Sequence, residues 1–575
     1  MKRLVSISVV FLFLMQLLMV GVLCVAEEGK VDATKKIIPK QTITSSLWIK
    51  VDVKVGGEWK PVGSTPCFYG SPSGSRNVRS RPGVVKVPAC EDRRFRLVGL
   101  NSRNAYAYKK TLRQYDIRRI HLDCFGMTDG DLKQYVRVGL FRGLKTLELK
   151  NCSSVANLSA LLDKESLMVL HLRSCDKLTN LSALVGLKNL TSLDLQHCDG
   201  LTDVSALSEL KNLTTLYLCS GESVKDVGPL ENLEKLEYLW LPESITDGQL
   251  RRLRDRGALA NVKELSLKWC RKLTDLSALS GLKRLESLDL SGCRRVTDFS
   301  GLAGLDSLKS LDLSQRKDVP TDLSKLPSLE RLETLDLRYC HDVTNLLALS
   351  KLTRLAKLDM KRCRNLTDLT ALADLKNLTT LNVTSCGGLK TLDGLGALKN
   401  LTTLDVGHSG SLMDISAIAG LKGLTRLGLG YCDELTDLSA LAGLENLTFL
   451  WLGPSRGPID LSPLHGMKKL KTLTMSCEDL GPADFAVLAS LKSLKHLVFE
   501  GAEKITPGEI ERLRRELPAC WVRTWARRYG GVPSKKIVVI ENGRSLFLSP
   551  VCDRRAVLLQ LWSIKTSLDC WISLL

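Results

Sequence analysis

The pattern L-x-x-L-x-L-x-x-C returns at nearly constant spacing through most of this 575-residue chain. Clear copies are Leu144-Leu147-Leu149-Cys152, Leu190-Leu193-Leu195-Cys198, Leu285-Leu288-Leu290-Cys293 and Leu424-Leu427-Leu429-Cys432. In one copy, Met360 stands for the third leucine, between Leu358 and Cys363. The first positions fall at 117, 144, 167, 190, 213, 236, 262, 285, 308, 332, 355, 378, 401, 424, 447, 470 and 494, and 12 of the 16 steps are 23 residues. A fixed period of this size means stacked copies of one small unit, each burying its apolar face against its neighbours.

The spacing also dictates the unit. L-x-L alternates with period two, so it is a short strand with both leucines on one face. The segment after it, such as Leu273, Leu276, Leu279 and Leu282, repeats every three residues, which suits a 3₁₀ turn. Stacking therefore predicts a parallel sheet on one side, helical turns on the other and a leucine core between them. Three lengthened steps, at Thr128–Leu132, Thr246–Leu250 and Gly481–Phe485, predict true helical turns.

These strings resemble the leucine-rich repeat family over roughly residues 117–516. The string L-T-D-L-S-A-L-x-G-L-K-N-L is most similar to the internalin-type short repeat, with cysteine at the position that type gives to asparagine. The stretch Ile505–Val522 resembles the closing helix and strand of ribonuclease-inhibitor-like arrays. The combination of secretory signal, cysteine ladder and short repeats is also similar to the leucine-rich repeat families of trypanosomes. The resemblance implies an α/β solenoid with a curved parallel sheet on its concave side and 3₁₀ or short helical turns on its convex side.

Around the array, residues 1–26 read as a secretory signal: Lys2 and Arg3, an apolar run, then Cys24-Val25-Ala26. The alternative is an uncleaved anchor, since the run is long enough to span a bilayer. Residues 27–105 are expected to form a β-rich cap, on the alternation of Leu47–Val55 and the Gly56-Gly57 turn. The array is placed at 106–522. The tail 523–575 carries a hairpin signal at Asn542-Gly543 and an apolar helix from Ala556, which Lys565 and Asp569 argue against reading as a membrane span or lipid-anchor signal.

Nine repeats place cysteine at the same offset: 152, 175, 198, 270, 293, 340, 363, 386 and 432. These read as a buried, reduced thiol ladder whose S–H groups meet backbone carbonyls. No C-x-x-C pair exists, so zinc is disfavoured and no metal or cofactor is expected. Cys67 and Cys90, outside the array, are the candidate disulfide. Ten N-x-S/T sequons occur, and five of them (Asn189, Asn212, Asn377, Asn400 and Asn446) sit just before a strand leucine, at a rim where a glycan fits.

No catalytic constellation is present: the seven histidines are scattered, and there is no G-x-S-x-G, H-E-x-x-H or phosphate loop. The chain is expected to bind rather than catalyse. The residue between the paired strand leucines must point out of the sheet. That column carries Asp289, Asp312, Asp336 and Asp359 on consecutive turns, a polar ladder that neighbouring cations such as Arg338 neutralise, or else a surface for a basic segment or a cation. It also offers two aromatic clusters, Tyr217, Tyr238 and Trp240 with Trp269 nearby, and Tyr431, Phe449 and Trp451. These suit binding hot spots, or contact with a flanking segment folded over the face. Arg271, Lys272, Arg294, Arg295, Arg316 and Lys317 follow the ladder position on successive turns and predict a basic rim. With a net charge of +20, that rim suits an anionic polysaccharide or lipid surface, while the secretory signal disfavours nucleic acid. The leading expectation is a secreted or surface-exposed solenoid that recognises a protein on its concave sheet. The alternatives are an intracellular adaptor, for example in a ubiquitin-ligase-type complex, and a polyanion-binding surface protein.

Overall fold

The computed structural model describes residues 119–123, 127–137, 139, 141–218, 222–453, 459–476, 480–500 and 505–525, and the backbone of five further strand segments. The chain divides into two compact units, Met1–Leu201 and Thr202–Leu575. The signal, Cys67, Cys90 and the apolar tail helix lie outside the described residues.

In the first unit, Trp48–Val55 pairs antiparallel with Glu58–Pro61 and with Arg93–Val98. Arg93–Val98 then continues as a parallel ladder through Arg119–Asp123, Thr146–Lys150, Val169–Arg173 and Ser192–Asp194. The expected β-rich segment is thus hydrogen-bonded to the first repeats.

In the second unit, parallel strands run in sequence order from Thr215–Tyr217 to Trp521–Trp525. The register is invariant: strand leucine opposes strand leucine, as Leu265↔Leu288↔Leu311↔Leu335↔Leu358. Because the offset never slips, the inward strand columns are uniformly apolar and each outward column is a readable list. The strand leucines are at most 1% exposed along this run.

The return segments are short 3₁₀ turns such as Ser277–Leu279 and Ser439–Leu441. An Asp two residues ahead holds many of them. Asp275 accepts the Ser277 amide at 2.8 Å and its hydroxyl at 2.6 Å, and Asp460 does the same for Ser462. Three of the four lengthened steps carry α-helices, Asp129–Arg137, Asp247–Asp255 and Pro482–Ser490. The second of these opens on a Thr246/Gln249 capping box. A final helix, Pro507–Glu516, precedes the last parallel strand. One departure from expectation is a small parallel bridge, Thr321–Asp322 with Val343–Thr344, on the return segments of two consecutive repeats; the second of them continues into a 3₁₀ turn, Leu346–Lys351.

Candidate functional site

Each strand ends in the same sharp corner. The residue just before the ladder position is left-handed in every repeat from Trp269 (φ 59°) through Gln315, Tyr339, Arg362, Ser385 and His408 to Tyr431, with Gly292 the one glycine in the series. Left-handed geometry costs a non-glycine residue about 1–2 kcal/mol. A hydrogen bond offsets it, because the corner amide donates to the next repeat: Trp269 to the Ser291 carbonyl at 2.7 Å, Tyr339 to that of Lys361 at 2.8 Å. The corner therefore turns a bulky side chain outward beside the sheet at regular intervals.

The ladder thiols lie directly behind these corners. All nine are buried thiols outside any disulfide. Cys198, Cys293, Cys340, Cys363 and Cys386 each donate to the carbonyl of the second strand apolar residue one repeat back, at 2.7–3.3 Å. Burial pushes the Cys386 and Cys432 thiols up to about 12, and Cys340 up to about 11. Cys340 is held down by the Thr321 hydroxyl and the Arg316 charge.

Arg316 corrects a sequence expectation. It was placed on the basic rim, but it is 1% exposed and occupies the ladder position itself, between Cys293 and Cys340. Its guanidinium donates to the carbonyls of Cys293 and Val296 and, at 3.2 Å, to the Thr321 hydroxyl, and it lies over the Phe299 ring. No carboxylate pairs with it among the described residues. The rim residues Arg271, Lys272, Arg295 and Lys317 are exposed and Arg294 is half-buried.

On the outward face, the parallel register stacks Asp289, Asp312, Asp336 and Asp359 on consecutive strands. Each carboxylate first serves its own corner by accepting the amide two residues on: Ser291, Ser314, Arg338 and Lys361, at 2.8–3.0 Å. Arg338 pairs with Asp336 at 2.6 Å and reaches Asp359 at 3.9 Å. Asp289 takes the Ser266 hydroxyl and Asp359 the Asn382 amide, both at 3.2 Å. Asp312 has no such cation. Burial, with Asp336 and Asp289 on either side, pushes its carboxyl up to about 6. The polar-ladder reading of this column thus has a structural reason: the acids close the corners.

The aromatic clusters sit at the two ends of the same column. Tyr217 and Trp240 pack with centroids 4.7 Å apart, and the Trp240 indole donates to Glu264 at 3.4 Å. Tyr238 is the exposed member of that strand. Trp269 does not join them in a ring contact; it lies on its corner over Gly292, between Arg271 and Arg294. At the other end, Trp451 contacts both His408 (5.5 Å) and Tyr431 (5.8 Å), which stack on each other at 4.5 Å. The indole lies where a Cβ on Gly430 would be and presses close to Gly407. Its Nε1 is buried with no hydrogen-bond partner among the described residues. Phe449 instead carries Arg426 over its ring at 4.2 Å. His408 lies outside the column between the leucines, so the strand alternation does not single it out; its place just before the ladder position is the sequence signal that does.

The sequon asparagines belong to another repeated bond. Asn189, Asn377, Asn400 and Asn446 each donate a side-chain N–H to a carbonyl one repeat back, at 2.8–2.9 Å, while the Asn212 side-chain oxygen accepts from Lys235 at 2.7 Å. Among the described residues there is no group of three or more His, Cys, Asp or Glu placed to hold a metal ion, and no helix long and apolar enough to cross a membrane.

A family profile described as leucine rich repeats (2 copies) matches residues 260–304. No curated protein matches the chain in sequence. Among solved structures, an internalin (inlF) of Listeria monocytogenes is 28% identical over 52% of this chain and 83% of its own, with TM-score 0.43. A leucine-rich repeat protein of Leptospira interrogans is 20% identical over 72% of this chain and 97% of its own, with TM-score 0.41. The functional domain of InlJ from Listeria monocytogenes, described as including a cysteine ladder, is 20% identical over 63% and 75%, with TM-score 0.41. The repeat period, the unbroken leucine register and the profile match make this chain a leucine-rich repeat protein.

Proposed function

We propose that this chain is a non-enzymatic binding protein that recognises a protein partner on the outward face of its parallel sheet, outside the cell or on its surface. One observation carries the reading. Within the second unit Tyr217 and Trp240 pair on the outward column, and Trp451 of the same column packs against the corner rings of His408 and Tyr431. Rigid aromatic side chains on a preformed sheet lose little freedom on binding, and such anchors carry most of the energy of an interface.

The test compares proteins captured by the wild type and by a Trp240→Ala/Trp451→Ala variant on matched surfaces, identified by mass spectrometry. The reading expects a partner set lost from the variant while its melting temperature stays within a few degrees. A partner set retained in full refutes it.

The buried thiols favour a second reading, an intracellular adaptor using the same face, because oxidising compartments disfavour cysteines outside a disulfide. An N-glycosidase mobility shift on protein from its native cells separates the two. A shift of several kDa places the chain in the secretory pathway; unchanged mobility supports the adaptor.

A further inference from the structure

We propose that the corner around Trp269 is a binding site for a linear sulfated polysaccharide, separate from the sheet face. The indole is held flat by its neighbour: Gly292 occupies the next corner with φ +75°, and a side chain there would overlap the ring. Two guanidiniums lie over the ring, Arg271 at 5.7 Å and Arg294 at 5.8 Å from its centroid. Lys272 follows Arg271 and Arg295 follows Arg294; one turn on, Lys317 takes the place of Arg294 and Asp318 that of Arg295, and Lys272, Arg295 and Lys317 are all exposed. Successive turns stack about 4.8 Å apart, so these cations form a short charged strip.

Two of the five strip cations meet a carboxylate among the described residues. Arg294 pairs with Asp318 at 3.0 Å and Lys272 reaches Glu222 at 3.9 Å. Among the described residues no carboxylate lies within ion-pair distance of Lys268, Arg271, Arg295 or Lys317. A flat ring with two guanidiniums set against it matches a pyranose bearing sulfates: the C–H face of the sugar stacks on indole, and planar donors grip the sulfate oxygens. A membrane surface fits less well, because none of the large apolar side chains exposed elsewhere (Leu162, Met168, Val185, Tyr238, Leu347, Met413, Trp521) lies between residues 262 and 317 to enter a bilayer.

Net charge of +20 gives any polyanion some affinity, so the test must separate this strip from bulk charge. A heparin-derived hexasaccharide is titrated calorimetrically into three full-length proteins. These are the wild type, Arg271→Ser/Arg295→Ser/Lys317→Ser, and a control that removes three exposed cations elsewhere, Lys422→Ser/Lys468→Ser/Arg515→Ser. The rim variant is expected to weaken binding at least tenfold and to flatten the log–log salt dependence of Kd by about two to three. The control is expected to stay within about threefold. Trp269→Ala is expected to lose about fivefold with the salt slope unchanged, which separates stacking from charge. Equal losses in rim and control variants overturn the proposal. So does wild-type protein that ignores the hexasaccharide yet binds phosphatidylserine vesicles or poly(U) through the same residues.

Discussion

Asp312 shows how one residue can be costly where its neighbours are not. Its carboxyl sits at about 6, above the 3.8 of an unfolded chain, because it is buried between two other carboxylates. Between pH 4 and pH 6 the folded state therefore binds more protons than the unfolded state, so this group makes the fold less stable as pH rises through that window. Asp312→Asn keeps the oxygen that accepts the Ser314 amide and removes the charge. The variant is expected to be more stable by about 1 kcal/mol at pH 7.5, with the gain vanishing near pH 4, as read from chemical denaturation at both values. Gly430 is the opposite case. Its Cα lies directly beneath the Trp451 indole, so Gly430→Ala should displace that ring and lower the melting temperature by several degrees.

At the scale of one repeat, the ladder position is the informative element. Cysteine satisfies one carbonyl from the repeat before it; Arg316 spreads over two carbonyls and a threonine hydroxyl, but buries a charge that no carboxylate among the described residues balances. Buried charges are often replaceable by small groups without loss, provided the remaining polar atoms are met. Arg316→Cys restores the consensus donor and is expected to be neutral or stabilising by about 1 kcal/mol. Arg316→Ala strands the carbonyls and should cost about 2–3 kcal/mol in urea unfolding. The helical steps follow ordinary end rules: Thr246→Ala removes a capping box and should cost about 1 kcal/mol.

At the scale of the whole molecule, the ladder predicts a chemical phenotype. A thiol reagent attacks thiolates it can reach, and here burial hides the sulfurs and, at Cys340, Cys386 and Cys432, also raises the thiol pKa. Native protein at pH 8 is expected to leave the nine ladder cysteines unreacted toward Ellman's reagent for hours, while protein in guanidinium reacts at once. Because nine further cysteines lie outside the ladder, only fast release of more than nine equivalents from native protein would show that repeats open locally. Because each repeat touches only its neighbours, such openings would nucleate where packing departs from consensus, and the repeat at 308 with its buried arginine is the expected weak point.

Periodicity alone determined the strand, the turn, the register and the buried cysteine ladder, because a 23-residue step lets only one set of side chains reach the core. The column between the leucines was legible for the same reason, since alternation along a strand sends Asp289, Asp312, Asp336 and Asp359 to the outer face. The left-handed corner was not legible. It is occupied by Trp, Gly, Gln, Tyr, Arg, Ser and His in turn, and only the bond from each corner amide to the next repeat makes that conformation affordable. Arg316 was misplaced because a charge beside Lys317 reads as surface in a linear string. Only the stacked turns reveal that one of the two adjacent side chains faces three backbone and hydroxyl acceptors inside. The aromatic group at His408, Tyr431 and Trp451 likewise exists because residues 20 to 43 apart are brought onto neighbouring strands, with glycines leaving the space the indole fills.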